Sequence, residues 1–176
     1  MKNLKISLII LSLMTLLGCA TETPTVDKNM DYVIVRYSCV TEENPDLAIC
    51  IEATTQGKIN VLGRPLKDII PGMNYILGGS MDISDSEVDK IIELSYDESV
   101  LRYKASKEAS GLENQYAEVF EIYNSKGELI QCIEEAGIIH EGLRALADEL
   151  YSLPIYNHDF YNRCIQKITD TYDMLK

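Results

Sequence analysis

The sequence predicts an α+β fold in which helices pack on a mainly antiparallel sheet. Three observations support this class. Segments rich in β-branched and aromatic residues lie early in the chain, two segments with apolar residues at helical spacing close it, and a hairpin signal lies between them. Strands that follow one another directly, with helices late in the chain, favour an antiparallel sheet that helices cover.

The first two strands are expected at 32–40 and 47–54. Their sequences, YVIVRYSCV and LAICIEAT, are rich in the residue types that favour strands. An Asn-Pro-Asp turn signal lies between them. If residues 43–46 form a four-residue loop, the register of this hairpin places Cys39 opposite Cys50.

The next elements are a short strand, a long loop and a helix. KINVL, at 58–62, is predicted to be a third strand, whereas 65–80 contains two prolines and three glycines and is predicted to be mostly loop. Ser84 followed by Glu87 forms a capping box, which predicts a helix over about 85–95.

A second hairpin is predicted in the middle of the chain, after a further strand at 100–107. Residues 117–123 and 128–134 flank Asn-Ser-Lys-Gly, with Gly127 in the left-handed position of the turn. The resulting register pairs Phe120 with Cys132, and Ile122 with Ile130, on one apolar face.

Two helices are expected at the end of the chain. The first covers 139–153 and is stopped by Pro154, and the second is capped by Asn157. The apolar face of the second helix contains Tyr161, Cys164, Ile165, Ile168, Tyr172 and Leu175. A helix lying across a sheet, as in the cystatin-like fold, is compatible with this order of elements, although no motif argues for that fold specifically.

Residues 1–18 are predicted to be a secretory signal peptide. Lys2 and Lys5 make the start of the chain basic, and residues 6–17, ISLIILSLMTLL, form an almost unbroken apolar run. A basic start, a short apolar segment and a small residue at the cleavage point are the parts of such a peptide. A membrane-spanning helix needs about 20 apolar residues, so this run is too short for one.

A lipidation pattern ends the apolar run. Leu16-Leu17-Gly18-Cys19 resembles the lipobox of bacterial lipoproteins. The resemblance implies that a diacylglyceryl group is attached to the Cys19 thiol and that the chain is cut just before this residue. It also implies delivery to the outer membrane, because the next residue is Ala20 and not the Asp that often favours inner-membrane retention. Whether the protein faces the periplasm or the exterior stays open.

Size and charge restrict what the mature protein binds. Removing residues 1–18 from the chain of 176 leaves 158, enough for a tether at about 19–30 and one α+β domain over 31–176. The net charge is −12 overall, and it becomes −14 after cleavage because the signal peptide carries two lysines and no acids. This charge repels nucleic acid and anionic lipid, so no nucleic-acid partner is predicted. The membrane is reached through the lipid on Cys19.

Four cysteines follow Cys19, namely Cys39, Cys50, Cys132 and Cys164. In an exported protein an even number of cysteines favours disulfides, with buried free thiols or a metal site as the alternatives. The register of the first hairpin predicts the pair Cys39–Cys50. The pair Cys132–Cys164 is predicted if the last helix packs on the apolar face of the second hairpin, whereas Cys132 stays a buried free thiol if helix 139–153 covers that face instead. Because no Cys-x-x-Cys pair is present, no metal and no cofactor are predicted.

Catalytic motifs are missing from the sequence. His140 and His158 lie at predicted helix starts and are interpreted as exposed first-turn residues, not as bases for a nucleophile. The acidic run from Asp82 to Glu93 lacks the glycine that an EF-hand loop requires at its sixth position, where Glu87 stands. The chain has eleven tyrosines and no tryptophan, which disfavours a stacking platform for sugars.

The sequence therefore favours a non-catalytic cell-envelope lipoprotein that acts as a binding or assembly module with an unidentified ligand. The alternative is an envelope hydrolase with a dispersed carboxylate or histidine site. A pocket lined by convergent carboxylates, or a contact between histidine and a nucleophile, would favour the enzyme.

Overall fold

A computed structural model describes residues 26–41, 44–66, 74–104, 118–135, 137 and 140–176. The strands in these ranges are β1 (Val33–Thr41), β2 (Asn44–Thr54), β3 (Lys58–Pro65), β4 (Ile76–Asp82), β5 (Glu118–Tyr123) and β6 (Leu129–Glu135). The helices are α1 (Asp85–Ser95), α2 (Glu98–Leu101), α3 (Glu141–Ile155) and α4 (His158–Leu175). The predicted signal peptide and most of the tether lie outside the described residues.

The strands form one antiparallel sheet in the order β4-β3-β2-β1-β5-β6. The first four strands are neighbours in chain order, and the second hairpin adds β5 beside β1. The α+β class and the mainly antiparallel sheet are therefore confirmed. None of the helices in the described ranges is long and apolar enough to cross a membrane.

The three long helices pack on one face of the sheet. α4 lies across β3 and β4, α3 contacts β2 and β3, and α1 contacts β1 and β2. The core between helices and sheet includes Ile34, Tyr37, Ile51, Val61, Phe120, Leu143, Leu146, Leu150, Ile168 and Tyr172. We call this side the helix face, and the opposite side, which displays Arg36, Cys50, Glu52 and Glu121, the open face.

Local signals place the predicted ends of several elements correctly. The Ser84 backbone N–H donates to Glu87 Oε2 at 2.6 Å, and the Glu87 N–H donates back to Ser84 Oγ at 3.3 Å. The Ser84 hydroxyl also donates to Glu87 Oε2 at 2.7 Å, and this bond, together with the one from the Ser84 N–H, lowers the pKa of the Glu87 carboxyl. Asn157 caps α4 by accepting from the Phe160 N–H, and Gly127 takes the predicted left-handed conformation with φ of 72°.

The structure corrects three predictions about elements. The predicted loop at 65–80 contains the first residues of β4. The predicted strand at 100–107 begins within α2, because the Asp97 carboxylate accepts from the Ser99 N–H at 2.8 Å and caps a helical turn. Residues 105–107 lie outside the described ranges. α3 ends at Ile155, one residue after the Pro154 that was expected to stop it.

The glycines of β4 explain why its residues were predicted to be loop. A Cβ at Gly78 would lie 2.9 Å from the carbonyl oxygen of Val61, and a Cβ at Gly79 would lie 2.7 Å from Cys164 Sγ. α4 therefore approaches the sheet where β4 has no side chain. From a single sequence, glycines that allow close packing cannot be distinguished from the glycines of a flexible turn.

Candidate functional site

Five side chains form a polar row across the open face. Pairing between neighbouring strands places Asn60 opposite Glu52, Glu52 opposite Arg36, Arg36 opposite Glu121 and Glu121 opposite Cys132. Directly opposed residues project to the same side of a sheet. The polar row therefore crosses β3, β2, β1, β5 and β6 on the side that the helices leave open.

Arg36 is the centre of the polar row and is ion-paired on both sides. Its Nε and Nη2 donate to Glu52 Oε2 at 3.0 and 2.5 Å, and its Nη1 donates to Glu121 Oε2 at 2.9 Å. The three side chains expose only 13%, 10% and 18% of their surface. Burial alone lowers the pKa of Arg36, but the hydrogen bond and charge of Glu52 outweigh it, so this pKa is raised.

Two tyrosines complete the shell around Arg36. Nη1 also donates to Tyr75 Oη at 2.9 Å and to Tyr123 Oη at 3.0 Å. The guanidinium carbon lies 4.4 Å from the ring centroid of Tyr75 and 5.7 Å from that of Tyr123, within the range of a cation–π contact. Burial raises the pKa of both phenols against the opposing Arg36 charge, so both carry their protons at neutral pH.

Long side chains span the open face. Tyr75 precedes β4, which is three strands away from β1, a separation of about 14 Å in a flat sheet. Its phenol nevertheless reaches Arg36. Tyr75 and Arg36 therefore lean toward each other over the strands between them.

A small apolar cluster lies beside the polar row. Cys50, Ala48 and Leu62 are its buried members, and Val40 and Tyr75 pack against them. The cluster is separate from the main core on the helix face. The open face therefore combines buried charges, aromatic rings and apolar side chains.

A second polar cluster, on the helix face, has a structural role. Tyr37 Oη donates to Glu118 Oε1 at 2.6 Å, and Arg144 Nη1 lies 3.6 Å from the same oxygen. The hydroxyls of Tyr151 and Tyr161 are 2.8 Å apart. These contacts join β1 and β5 to α3, and α3 to α4.

The predicted register of the first hairpin was wrong. Cys39 lies opposite Ile49, and Cys50 lies opposite Ser38. β2 already begins at Asn44, so the turn falls earlier than the Asn-Pro-Asp signal suggested, and a pairing shift next to Thr41 accommodates the residues around Pro45. Because a shift of one residue reverses the faces, Cys39 packs on the helix face and Cys50 on the open face.

The second register is also shifted by one residue. A bulge pairs Ile122 with Gln131, Phe120 with Ile133 and Glu121 with Cys132. Cys132 therefore projects from the open face, while Cys164 packs on the helix face. Neither predicted disulfide is present.

All four described cysteines, Cys39, Cys50, Cys132 and Cys164, are free thiols. Burial raises the pKa of each, and it raises that of Cys50 to about 11. Protonated thiols are poor nucleophiles and poor metal ligands. Within the described ranges, no group of three or more His, Cys, Asp or Glu side chains is arranged to hold a metal ion.

Both histidines lie at helix starts, as predicted, but His140 is the half-buried N-cap of α3 and not the exposed first-turn residue that was expected. His140 Nδ1 accepts from the Leu143 N–H at 3.3 Å, and its ring lies 4.7 Å from that of Tyr103. His158 is the first residue of α4 and is exposed. Neither is hydrogen-bonded to a serine or cysteine side chain in the part of the chain that the structure describes.

The residues that make up the site were not predicted from the sequence. Three charged residues, Arg36, Glu52 and Glu121, each stand between apolar neighbours in a different strand. A lone charge inside a predicted strand is a signal that could have been used, since such a group must be paired when it is buried. Tyr75 could not be found in this way because it was placed in the predicted loop.

Comparison with protein-family models, with curated proteins and with solved structures finds no match to this chain. Its function is therefore argued from its own residues.

Proposed function

We propose that the protein is a lipid-anchored, non-catalytic module of the bacterial cell envelope and that it binds its ligand or partner on the open face. The observation that carries the binding role is the Arg36 cluster. Helices cover the opposite face of the sheet, whereas this face holds paired charges and two tyrosines around one arginine.

Apolar side chains flank the cluster on the same face. Leu77 lies opposite Leu62, Leu129 lies opposite Tyr123, and both leucines are 51% exposed. Ligand sites typically combine apolar walls with a few fixed polar groups. The open face has this composition, which favours a binding role.

A hydrolytic role is the weaker candidate. Glu52 and Glu121 are the carboxylates that converge on the open face, and both accept hydrogen bonds from Arg36. A hydrolase pair needs one carboxyl group that can donate a proton. Here both carboxylates act as acceptors and hold Arg36 in place. This arrangement favours a binding role over catalysis.

The anchor is argued from sequence. The lipobox-like residues Leu16 to Cys19 support export, lipid attachment and outer-membrane delivery. Val26 packs against the core and the Met30 carbonyl accepts from Thr55 Oγ1, so about seven residues, 19–25, are left as a tether, which reaches roughly 25 Å when fully extended. The open face of an anchored domain could then reach a ligand or partner at that distance from the membrane.

Replacement of Cys19 by serine is expected to move the protein from the membrane fraction to the soluble fraction, because serine has no thiol to carry the diacylglyceryl group. Fractionation of expressing cells and mass spectrometry of the N-terminal peptide measure this effect. Cys132→Ser is the matched control and should leave the protein in the membrane fraction. If Cys19→Ser stays there too, and the native peptide carries no acyl mass, the anchor is wrong.

A photo-crosslinking amino acid at Leu77 is expected to give a discrete adduct in intact cells, because this side chain is exposed beside the Arg36 cluster. The control places the same group at Tyr156, which is 86% exposed in the turn between α3 and α4. Adducts are resolved by gel shift and mass spectrometry. Equal labelling at the two positions, or none at 77, would contradict binding on the open face.

A further inference from the structure

We propose that the ligand of the open face is an uncharged saccharide, bound by the hydroxyl groups of Tyr75 and Tyr123 and by the carboxylate of Glu121. This inference rests on the proposed function, since it names the ligand class for the same face. The donors and acceptors that the Arg36 cluster leaves unused match such a ligand.

Two hydroxyl donors point away from Arg36. A guanidinium group only donates hydrogen bonds, so Tyr75 Oη and Tyr123 Oη both act as acceptors toward Nη1. Each phenol therefore keeps its own O–H, and among the described residues neither O–H has an acceptor. Because both oxygens lie within hydrogen-bond distance of one nitrogen, they are at most about 6 Å apart.

One carboxylate oxygen lies beside these donors. Glu121 Oε2 accepts from the same Nη1, while Oε1 of this carboxylate has no hydrogen-bond partner in the described part of the chain. The unused groups are thus two donors and one acceptor around a single point. A saccharide ring meets this pattern because each hydroxyl can accept from a phenol and donate to a carboxylate.

Charge argues for an uncharged ligand. The cluster joins one arginine to two glutamates, and the charge of Arg64 on the same face also acts on Tyr75, so the two positive and two negative charges near the tyrosines balance. The net charge of −12 on the chain then disfavours an anion. A cation would compete with Arg36, whose guanidinium already occupies the position against both tyrosine rings and both carboxylates. The unused groups of the cluster can therefore form hydrogen bonds with a ligand that carries no net charge.

This mode of binding does not need tryptophan. In a stacking platform the ring faces make the contact, whereas here one face of each tyrosine lies against Arg36. The polar tips of the tyrosines carry the interaction, and exposed apolar side chains such as Leu77 and Leu129 are available for the apolar faces of the sugar.

The test uses three oligosaccharide probes of equal length and different charge. They are the tetramers of N-acetylglucosamine, which is neutral, of glucosamine, which is cationic, and of galacturonic acid, which is anionic. Isothermal titration of the folded chain should show saturable binding of the neutral tetramer and at least tenfold weaker binding of the other two. Equal or tighter binding of either charged tetramer would overturn the proposal.

Variants then locate the site. Tyr75→Phe and Tyr123→Phe each remove one donor and should weaken binding about fivefold, and the double variant should weaken it more than tenfold. Tyr156→Phe, the same change in the turn between the last two helices, should have no effect. A double variant that melts like the unmodified chain and binds within a factor of two would contradict the assignment.

The unmodified chain supplies a second measurement. In NMR spectra the neutral tetramer should shift the Arg36 Nε–H signal and the Leu77 methyl signals, and leave the Leu146 methyls on the helix face unchanged. If the crosslink at Leu77 forms in cells but the neutral tetramer shifts none of these signals, the proposed function stands and the saccharide is rejected. If the tetramer binds but position 77 gives no adduct in cells, the saccharide stands and the cellular role fails.

Discussion

Replacement of Arg36 by methionine is expected to destabilise the fold by about 2–4 kcal/mol, because it leaves two largely buried carboxylates without their counter-charge. Glu52 would lose both of its bonds from Arg36 and Glu121 would lose the bond from Nη1. The hydroxyls of Tyr75 and Tyr123 would lose their donor as well. Methionine retains most of the apolar volume, so the change reports on the charge rather than on a cavity.

Urea unfolding followed by circular dichroism measures this effect, since the midpoint shifts while the slope stays constant. Lys58→Met is the matched control, because the Lys58–Asp82 pair is exposed and its loss should have no measurable effect. Adding Glu52→Gln to Arg36→Met should recover part of the lost stability by removing one unpaired charge. A loss below about 1 kcal/mol for Arg36→Met would mean that the open face is far more hydrated than its burial indicates.

Much of the fold follows from local sequence signals. The alternation and β-branching of 32–40 and 47–54, the capping box at Ser84, and the cap at Asn157 each depend on residues close together in the chain. Such signals determine where an element begins and which type it is. The predicted order of strands and helices was therefore sufficient to obtain the fold class.

Register could not be obtained in the same way. The bulges beside Thr41 and Ile122 each shift the pairing, and a one-residue shift reverses the faces of every residue beyond it. The second shift turns Gln131 toward the helix face. There its Nε2 donates to the carbonyl oxygens of Leu101 and Tyr103, each at 3.0 Å. These partners are distant in sequence, and no local pattern indicates them.

The candidate site depends on the same long-range geometry. The three charges of the Arg36 cluster come from three strands, and Tyr75 reaches Arg36 from just before β4, three strands away from β1. A single sequence shows each charge as an isolated polar residue in an apolar segment. The position of the site therefore had to come from the structure.

The second large effect on the free energy of unfolding is expected where α4 approaches the sheet closely. A Cβ added at Gly63 would overlap Cγ2 of Ile168, which is fully buried. Gly63→Ala is therefore expected to cost about 1–3 kcal/mol through overpacking. Ile168→Ala should cost about 2–4 kcal/mol by opening a cavity in the same place.

Combining the two changes should cost at least about 1 kcal/mol less than the sum of the single effects, because the alanine methyl at position 63 enters the space that the isoleucine vacates. The control cycle pairs Gly63→Ala with Val88→Ala on α1, which packs at β1 and β2, and its effects should simply add. Urea unfolding of all the variants measures both cycles. Additive costs for Gly63 and Ile168 would show that α4 shifts away from the sheet to relieve the overlap. In that case glycine at Gly63, Gly78 and Gly79 would not be required for the close packing of α4.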